Sequence, residues 1–169
     1  APALRVIVHQ GANRLRNGAL QETVRNTDLV LSSYAVVRRD AVALNEIDWF
    51  GVVLDEAQNI KNAETRQAQV MRKLPATFRL ALTGTPVENR LSELWSIMHF
   101  LNPGYLGSRQ AFRHQFALPI ERGGDAEAAE RLRRLVSPFI LRRLKSDPTV
   151  IRDLPEKLES KVYCFLTAE

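Results

Sequence analysis

Short apolar runs alternate with helix-like patterns through the first hundred residues, and this alternation restricts the fold more than any other feature. The apolar runs are LRVIVH (4–9), DLVLSS (28–33), WFGVVLD (49–55) and FRLALTG (78–84), and the helical patterns cover about 19–25, 34–45 and 63–74. None of the runs alternates cleanly with period two, which is typical of strands covered on both faces in a parallel sheet. The pattern predicts a doubly wound, parallel α/β sheet with right-handed connections.

The helix over 63–74 has recognisable signals at both ends. Asn62 can cap its N-terminus, Glu64 falls in its first turn, and Arg72 and Lys73 fall in its last turn. These charges complement the helix dipole.

The pattern changes after residue 88. Helical spacing is predicted over 89–101, about 108–117 and about 125–136, with a Gly-Gly-Asp turn at 123–125. A basic stretch, ILRRLK, and a Pro-rich segment follow, and a last apolar run, KVYCFLT (161–167), predicts one more strand. The chain therefore reads as an α/β core interrupted by a helical protrusion.

Composition excludes several classes of site. The 169 residues are 45% hydrophobic, which suits one domain with a real core. The single cysteine, Cys164, excludes an internal disulfide framework and fits a reducing, intracellular compartment, while the three scattered histidines lack metal-ligand spacing. No apolar stretch reaches the roughly 20 residues that span a bilayer. The net charge of +5 mildly favours an acidic partner such as nucleic acid.

The run VVLDEAQN places Asp55 and Glu56 together at the end of a predicted strand. Ligands of parallel α/β sheets bind beyond the carboxyl ends of the strands. In nucleotide-hydrolysing proteins a strand-end acid holds Mg²⁺, and a neighbouring acid can orient the attacking water. Taken alone, the pair also fits a strand that simply ends in exposed acids, which is the commoner arrangement.

The segment LTGTPVEN (82–89) follows the next predicted strand. Thr85, Pro86 and Glu88 can form a helix start, with a capping box and proline at its favoured first position. That structural interpretation leaves Thr83 and Gly84 unexplained. Hydroxyls flanking a glycine beside the acidic strand would suit an element that senses a nucleotide.

DEAQ (55–58) followed by LTGTP (82–86) resembles motifs II and III of superfamily-two helicases. More narrowly, the chain resembles the Swi/Snf family of DNA-dependent ATPases and translocases. The narrower likeness rests on LDEAQNIKN, LTGTPVENRLSELWSIMHFLNPGYLG and FILRRLK with the later LPEK, and it covers nearly the whole chain.

The resemblance implies an ATP-hydrolysing protein that uses Mg²⁺ and moves on double-stranded DNA. Asp55 would hold Mg²⁺ through water, Glu56 would polarise the water that attacks ATP, and Gln58 would bridge toward a coupling element. The coupling element would be Thr83, Gly84 and Thr85. The residues that would contact DNA are Ser32, Ser33 and Tyr34 of LSSY, together with Lys61, Asn62, Arg142 and Arg143.

Each of these DNA-binding assignments has a plainer alternative. LSSY also fits a strand end that turns into a helix with serine near its cap. Lys61 and Asn62 also fit an exposed lysine and a helix cap. The basic run containing Arg142 and Arg143 also fits a solvated face, or a segment that braces two lobes.

The resemblance also implies a domain arrangement of the P-loop NTPase type. Residues 1–100 would form the later part of a RecA-like first lobe, residues 101–158 a helical protrusion and return segment, and residues 159–169 its final strand. A second RecA-like lobe of the same protein would be a partner. No glycine is followed by lysine, so the phosphate-cradling GxxxxGK[ST] loop is absent from these residues. The chain is therefore expected to be a fragment with negligible ATPase activity alone.

Two alternatives to the translocase remain at this point. One is a non-catalytic lobe that docks on DNA or on a protein partner. The other is the motor portion of a restriction-type nuclease, which the helical insertion after LTGTP disfavours. For the translocase, the remodelled target would be RNA polymerase or another DNA-bound protein, in the cytoplasm or nucleoid of a bacterium or in a eukaryotic nucleus, away from any membrane.

Overall fold

Short strands alternate with helices in the computed structural model, which describes residues 3–84 and 90–142. Up to residue 81 the elements are β1 (Val6–His9), α1 (Asn17–Arg25), β2 (Leu29–Ser32), α2 (Tyr34–Arg39), α3 (Ala41–Asn45), β3 (Trp49–Leu54), α4 (Arg66–Lys73) and β4 (Ala76–Ala81). The predicted α/β class is confirmed. By its internal contacts the chain divides into two compact units, residues 1–132 and 133–169.

The described strands form two parallel pairs. β1 pairs with β2 so that His9 lies opposite Ser32, and β3 pairs with β4 so that Leu54 lies opposite Ala81. The predicted parallel pairing is confirmed, but within the described residues the ladders form two two-stranded sheets and not one continuous sheet.

The prediction that the strands are covered on both faces is wrong for the described part of the chain. One face of each pair packs toward the core through Ile7, Val52, Leu54 and Ala81. The other face stays 41–64% exposed. Its side chains are Val6, Val8, Leu29 and Leu31 on the first pair, and Val53, Phe78, Leu80 and Leu82 on the second. The apolar sequence pattern therefore predicted where the strands lie, but it did not predict which faces of the strands are covered.

One cluster of buried side chains joins the strands, the turn after β3 and several of the helices. Its members are Leu20, Leu44, Leu54, Ala57, Ile60, Ala68, Met71, Leu74 and Phe100. Each buried leucine or isoleucine of this kind stabilises a fold by about 1.5–3 kcal/mol. Because Ala57 and Ile60 belong to the cluster, the turn that directly follows Asp55 and Glu56 is anchored in the core.

The helix α4 is capped by a different residue from the one predicted. Thr65 Oγ1 accepts a hydrogen bond from the Ala68 amide, and the helix begins at Arg66. Asn62 instead accepts from the Glu64 amide in a local turn, so Glu64 precedes the helix. Both residue types favour caps, and Asn62 and Thr65 lie only three positions apart, so the sequence alone did not distinguish them. The basic last turn is confirmed.

The helix predicted over 34–45 is interrupted at Asp40. The Asp40 amide closes α2 on the Val36 carbonyl, and the Asp40 carbonyl accepts the Leu44 amide to open α3. Its carboxylate is held by Arg14 and His9, from the segment before α1. This long-range anchor fixes a non-helical backbone at Asp40, which local propensity does not reveal.

The later part of the described chain is helical, as expected for a protrusion. The elements are α5 (Leu91–Leu101), α6 (Arg109–Phe112), a π-helical turn (Arg113–Ala117), α7 (Leu118–Gly123), α8 (Ala126–Val136) and a 3₁₀ turn (Ser137–Phe139). The predicted Gly-Gly-Asp turn is confirmed: Gly124 adopts a left-handed conformation with φ of 62°, which suits glycine at the end of α7.

Several predictions concern residues outside the described ranges. They are the capping box at Thr85 to Glu88, the coupling role of Thr85, the DNA contact of Arg143 and the final strand at 161–167.

Candidate functional site

The ends of β3 and β4 bring the acidic pair and the LTG segment to one edge. Beyond the last paired residues, the Leu82 amide donates to the Leu54 carbonyl, and the Ala57 amide donates back to the Leu82 carbonyl, each at 2.8 Å. These two bonds continue the backbone pairing of the two segments beyond the ends of β3 and β4. Asp55, Glu56 and Thr83 therefore lie at the same carboxyl edge, where parallel α/β sheets bind ligands.

The acidic pair occupies an unusual backbone conformation. Glu56 has φ of 49° and ψ of 53°, and it is the one non-glycine residue with positive φ among the described residues. Such a left-handed residue costs of order 1–3 kcal/mol and requires support from its surroundings. Asp55 Oδ1 accepts the Glu56 amide at 2.9 Å, and the Glu56 carbonyl accepts both the backbone and side-chain amides of Asn59. The turn is thus held by hydrogen bonds on both sides of Glu56.

Gln58 connects the acidic pair to the next strand end. Its amide nitrogen donates to Glu56 Oε2 at 2.6 Å, and its amide oxygen accepts from the Thr83 hydroxyl at 2.9 Å. The structure therefore brings Glu56, Gln58 and Thr83 into one chain of hydrogen bonds. Gly84 follows at the same edge, is exposed, and would accommodate a Cβ without contact within 4 Å.

Tyr34 reaches the same edge from the start of α2. Its hydroxyl donates to the Asp55 backbone carbonyl at 2.7 Å. Burial, and then the negative charges of Asp55 and Glu56, raise the pKa of Tyr34 to about 12. The phenol therefore remains a protonated donor across the physiological range. The sequence suggested Tyr34 as a DNA contact and gave no sign of this bond, because the bond depends on which strand ends lie side by side.

The other two hydroxyls of LSSY also have partners within the chain. The Ser32 hydroxyl donates to the His9 carbonyl at 2.9 Å, and Ser33 Oγ accepts from the Val36 amide as the cap of α2. The plainer interpretation of LSSY, a strand end leading into a serine-capped helix, is therefore confirmed as structure.

Lys61 and Asn62 follow the 3₁₀ turn at Ala57–Ile60. Lys61 Nζ lies 3.8 Å from Glu93 Oε1 on α5, and Asn62 forms the local turn described above. A hydrogen bond also links the 3₁₀ turn to α5, because the buried Ser96 hydroxyl donates to the Ile60 carbonyl at 2.6 Å. Arg142 belongs to the second unit, where its side chain is exposed.

A partly buried cluster of His9, Arg14 and Asp40 lies at the junction of α2 and α3, and the sequence gave no indication of it. His9, 2% exposed, contacts Asp40 Oδ2 through Nε2 at 2.8 Å, and the Arg14 guanidinium makes two bonds to the same carboxylate. The bond from Arg14 and the contact with His9 lower the pKa of Asp40 to about 2. The cluster fixes the β1–α1 segment against the helices that follow LSSY.

The donor set at the acidic edge fits magnesium better than a metal enclosed by protein ligands. In residues 3–84 and 90–142, no three His, Cys, Asp or Glu side chains are grouped to hold a metal. Mg²⁺ keeps several waters and binds through one or two carboxylates together with substrate phosphates. Asp55 is exposed and accepts one amide bond, and a carboxylate has further lone pairs for a metal-bound water.

Comparison with known proteins places the chain in a family. The model of the SNF2-related domain matches residues 1–169. YwqA of Bacillus subtilis, named as an ATP-dependent helicase/translocase, is 46% identical over 169 residues, covering all of this chain and 18% of YwqA. The TATA-binding protein-associated factor MOT1 of Saccharomyces cerevisiae is 39% identical over 177 residues, covering 98% of this chain and 9% of MOT1. The chain therefore spans less than a fifth of these relatives.

Solved structures show the same likeness. The SWI2/SNF2 ATPase core of Sulfolobus solfataricus in complex with double-stranded DNA superposes with a TM-score of 0.78 at 46% identity, covering 92% of this chain and 31% of that one. The SWI2/SNF2 ATPase core domain of the same organism gives a TM-score of 0.73 at 47% identity, covering 97% of this chain and 32% of that one. No helix within the described ranges is long and apolar enough to cross a membrane.

Proposed function

The chain belongs to the SNF2-related family of ATPase domains, and from this premise we propose that it is part of the first lobe of an ATP-driven translocase on duplex DNA. Residues 1–100 supply the later part of a RecA-like lobe. Residues 101–158 supply a helical protrusion and return segment, and residues 159–169 a final strand. A second RecA-like lobe of the same protein completes the nucleotide site.

The observation that carries the proposal is the bonded chain Glu56–Gln58–Thr83, beside Asp55, at the ends of two parallel strands. Asp55 would hold Mg²⁺ through water, and Glu56 would polarise the water that attacks the terminal phosphate of ATP. When bound, Mg²⁺ neutralises negative charge on the phosphates. A displacement of the Thr83–Thr85 segment alters the hydrogen bonding of Glu56 through Gln58. In this way ATP hydrolysis is coupled to movement along DNA.

DNA phosphates lie along the edge formed by LSSY (residues 31–34) and by the segment after the acidic turn. Ser32, Ser33, Tyr34, Lys61 and Asn62 belong to that edge. Arg142 and Arg143 are proposed as further DNA contacts, independently of that edge. The double-stranded DNA bound to the similar archaeal core supports this assignment, as does the net charge of +5. Phosphate contacts of this kind position a protein without reading sequence.

The physiological target is a DNA-bound protein complex, with RNA polymerase as one candidate. MOT1, named as a factor associated with TATA-binding protein, shows that a relative is linked to a DNA-bound protein. Residues 1–169 alone hydrolyse ATP negligibly, because they lack a GxxxxGK[ST] loop to cradle the phosphates.

Translocation on an intact duplex tests the proposal. The full-length protein should displace a triplex-forming strand from duplex DNA when ATP and Mg²⁺ are supplied. It should not separate the duplex itself. A protein that binds duplex DNA tightly yet displaces no third strand with ATP would instead be a docking module.

A further inference from the structure

The peptide unit between Asp55 and Glu56 is fixed at both of its ends. Its carbonyl accepts the Tyr34 hydroxyl at 2.7 Å, and its N–H donates to Asp55 Oδ1 at 2.9 Å. The orientation of this peptide plane determines the backbone angle at Glu56, whose φ of 49° is unfavourable for a residue with a Cβ. Two bonds from different directions therefore hold the plane that gives Glu56 its left-handed conformation.

Tyr34 is well placed to act as a rigid support. It opens α2 directly after the Ser33 cap, and its ring packs against the buried cluster that contains Ala57 and Ile60. Tyr34 therefore packs on the same core that anchors Leu54 and Ala57, the residues on either side of the acidic pair. The bond joins residues 21 apart in sequence, so it ties the LSSY turn directly to the acidic turn.

We infer that Tyr34 is a positioning residue for the acidic pair: its hydroxyl fixes the Asp55–Glu56 peptide and so sets the direction in which the Glu56 carboxylate points. This inference rests on the proposed function for its catalytic consequence, but its structural part stands separately. It also gives the hydroxyl of Tyr34 a role different from a phosphate contact, although the neighbouring backbone can still lie beside DNA.

Hydrogen exchange of the full-length Tyr34→Phe protein tests the structural part without any activity. Phenylalanine keeps the ring packing and removes the donor. The amides of segment 55–60 should exchange about fivefold to tenfold faster than in the parent, which corresponds to the loss of one net hydrogen bond. The amides of α5 should be unchanged. Tyr105→Phe, at the opposite end of α5 from the acidic edge, is the matched control and should change neither segment.

Kinetics of the same variants test the catalytic part. Tyr34→Phe should lower kcat for ATP hydrolysis about tenfold, with KM for MgATP and Kd for duplex DNA within twofold of the parent. Adding Tyr34→Phe to Glu56→Gln should cause no further loss, because the hydroxyl acts through Glu56.

The outcomes separate the two claims. Unchanged exchange in segment 55–60 overturns the inference, as does faster exchange throughout the protein or a weakened DNA affinity with normal exchange. If exchange rises locally while Glu56→Gln retains full ATPase activity, the positioning role is supported and the proposed catalytic role of Glu56 fails.

Discussion

The Gln58 amide nitrogen lies 2.6 Å from Glu56 Oε2, so the carboxylate proposed to polarise water is engaged by a side chain of its own turn. The same amide accepts the Thr83 hydroxyl through its oxygen. A shift of Thr83 therefore changes the hydrogen bonding of Glu56 through a single intermediate side chain. This arrangement connects the Thr83 side chain to the acidic pair through only one other side chain.

Removing the Gln58 side-chain amide should break the hydrogen-bonded connection between Glu56 and Thr83. Gln58→Ala in the full-length protein should reduce DNA-stimulated ATP hydrolysis about tenfold, since two hydrogen bonds to Glu56 and Thr83 are lost. Thr83→Val should cause a similar loss. The double variant should be no worse than either single variant, as measured by steady-state ATPase assays with saturating duplex DNA. Gln69→Ala, on the exposed side of α4, is the control, and additive losses from Gln58→Ala and Thr83→Val would contradict the relay.

The partly buried cluster of His9, Arg14 and Asp40 should make the free energy of unfolding depend on pH. The pKa of Asp40 is lowered from 3.8 to about 2 in the folded protein, so the folded state favours the carboxylate. Its contribution is present above the unfolded pKa and is lost as pH falls toward 2. Asp40→Asn should therefore lower the free energy of unfolding, measured by urea denaturation, by about 2 kcal/mol at pH 7 and by about half of that at pH 3.

Asp28→Asn provides the matched comparison for Asp40. Asp28 also has a pKa of about 2, from hydrogen bonds with Arg5, but that pair is exposed and screened by solvent. Asp28→Asn should therefore lower the free energy of unfolding at pH 7 by clearly less than Asp40→Asn does. An Asp40→Asn cost that does not shrink between pH 7 and pH 3 would show that the ionised carboxylate is not the stabilising species.

Arg79 should be a structural residue of the strand that leads into LTG. Its guanidinium donates to the Phe100, Arg72 and Leu74 carbonyls at the ends of α5 and α4, and it lies 5.4 Å from the centre of the Phe100 ring. Arg79→Met should lower the free energy of unfolding by about 3 kcal/mol, because three carbonyls lose a charged donor.

Two variants calibrate that measurement. Arg79→Lys should give an intermediate loss, since an ammonium cannot reach all three carbonyls in the fork geometry of arginine. Arg66→Met, on the exposed first turn of α4, should change stability by less than about 0.5 kcal/mol. Equal effects of Arg66→Met and Arg79→Met would contradict the role given to Arg79.

The sequence predicted features that depend on local pattern. The apolar run WFGVVLD (49–55) predicted the strand β3, which the structure ends at Leu54, one residue before Asp55, and the basic last turn of α4 followed from helix rules. Features that depend on distant partners were missed. Asp40 interrupts a helical pattern because Arg14 and His9 hold its carboxylate, and Tyr34 bonds Asp55 because two strand ends meet. The exposed strand face of Phe78 and Leu80 was missed for a related reason, since an apolar side chain does not specify its neighbours.

The most direct test of the central claim is the DNA-stimulated ATPase activity of the full-length Glu56→Gln protein. Glutamine is nearly isosteric, so folding and duplex affinity should match the parent, while turnover should fall about 100-fold or more with loss of the base. Glu64→Gln, which alters an exposed carboxylate paired with Arg109, should retain parental turnover. If Glu56→Gln hydrolyses ATP as fast as Glu64→Gln, the acidic pair is not the hydrolytic centre.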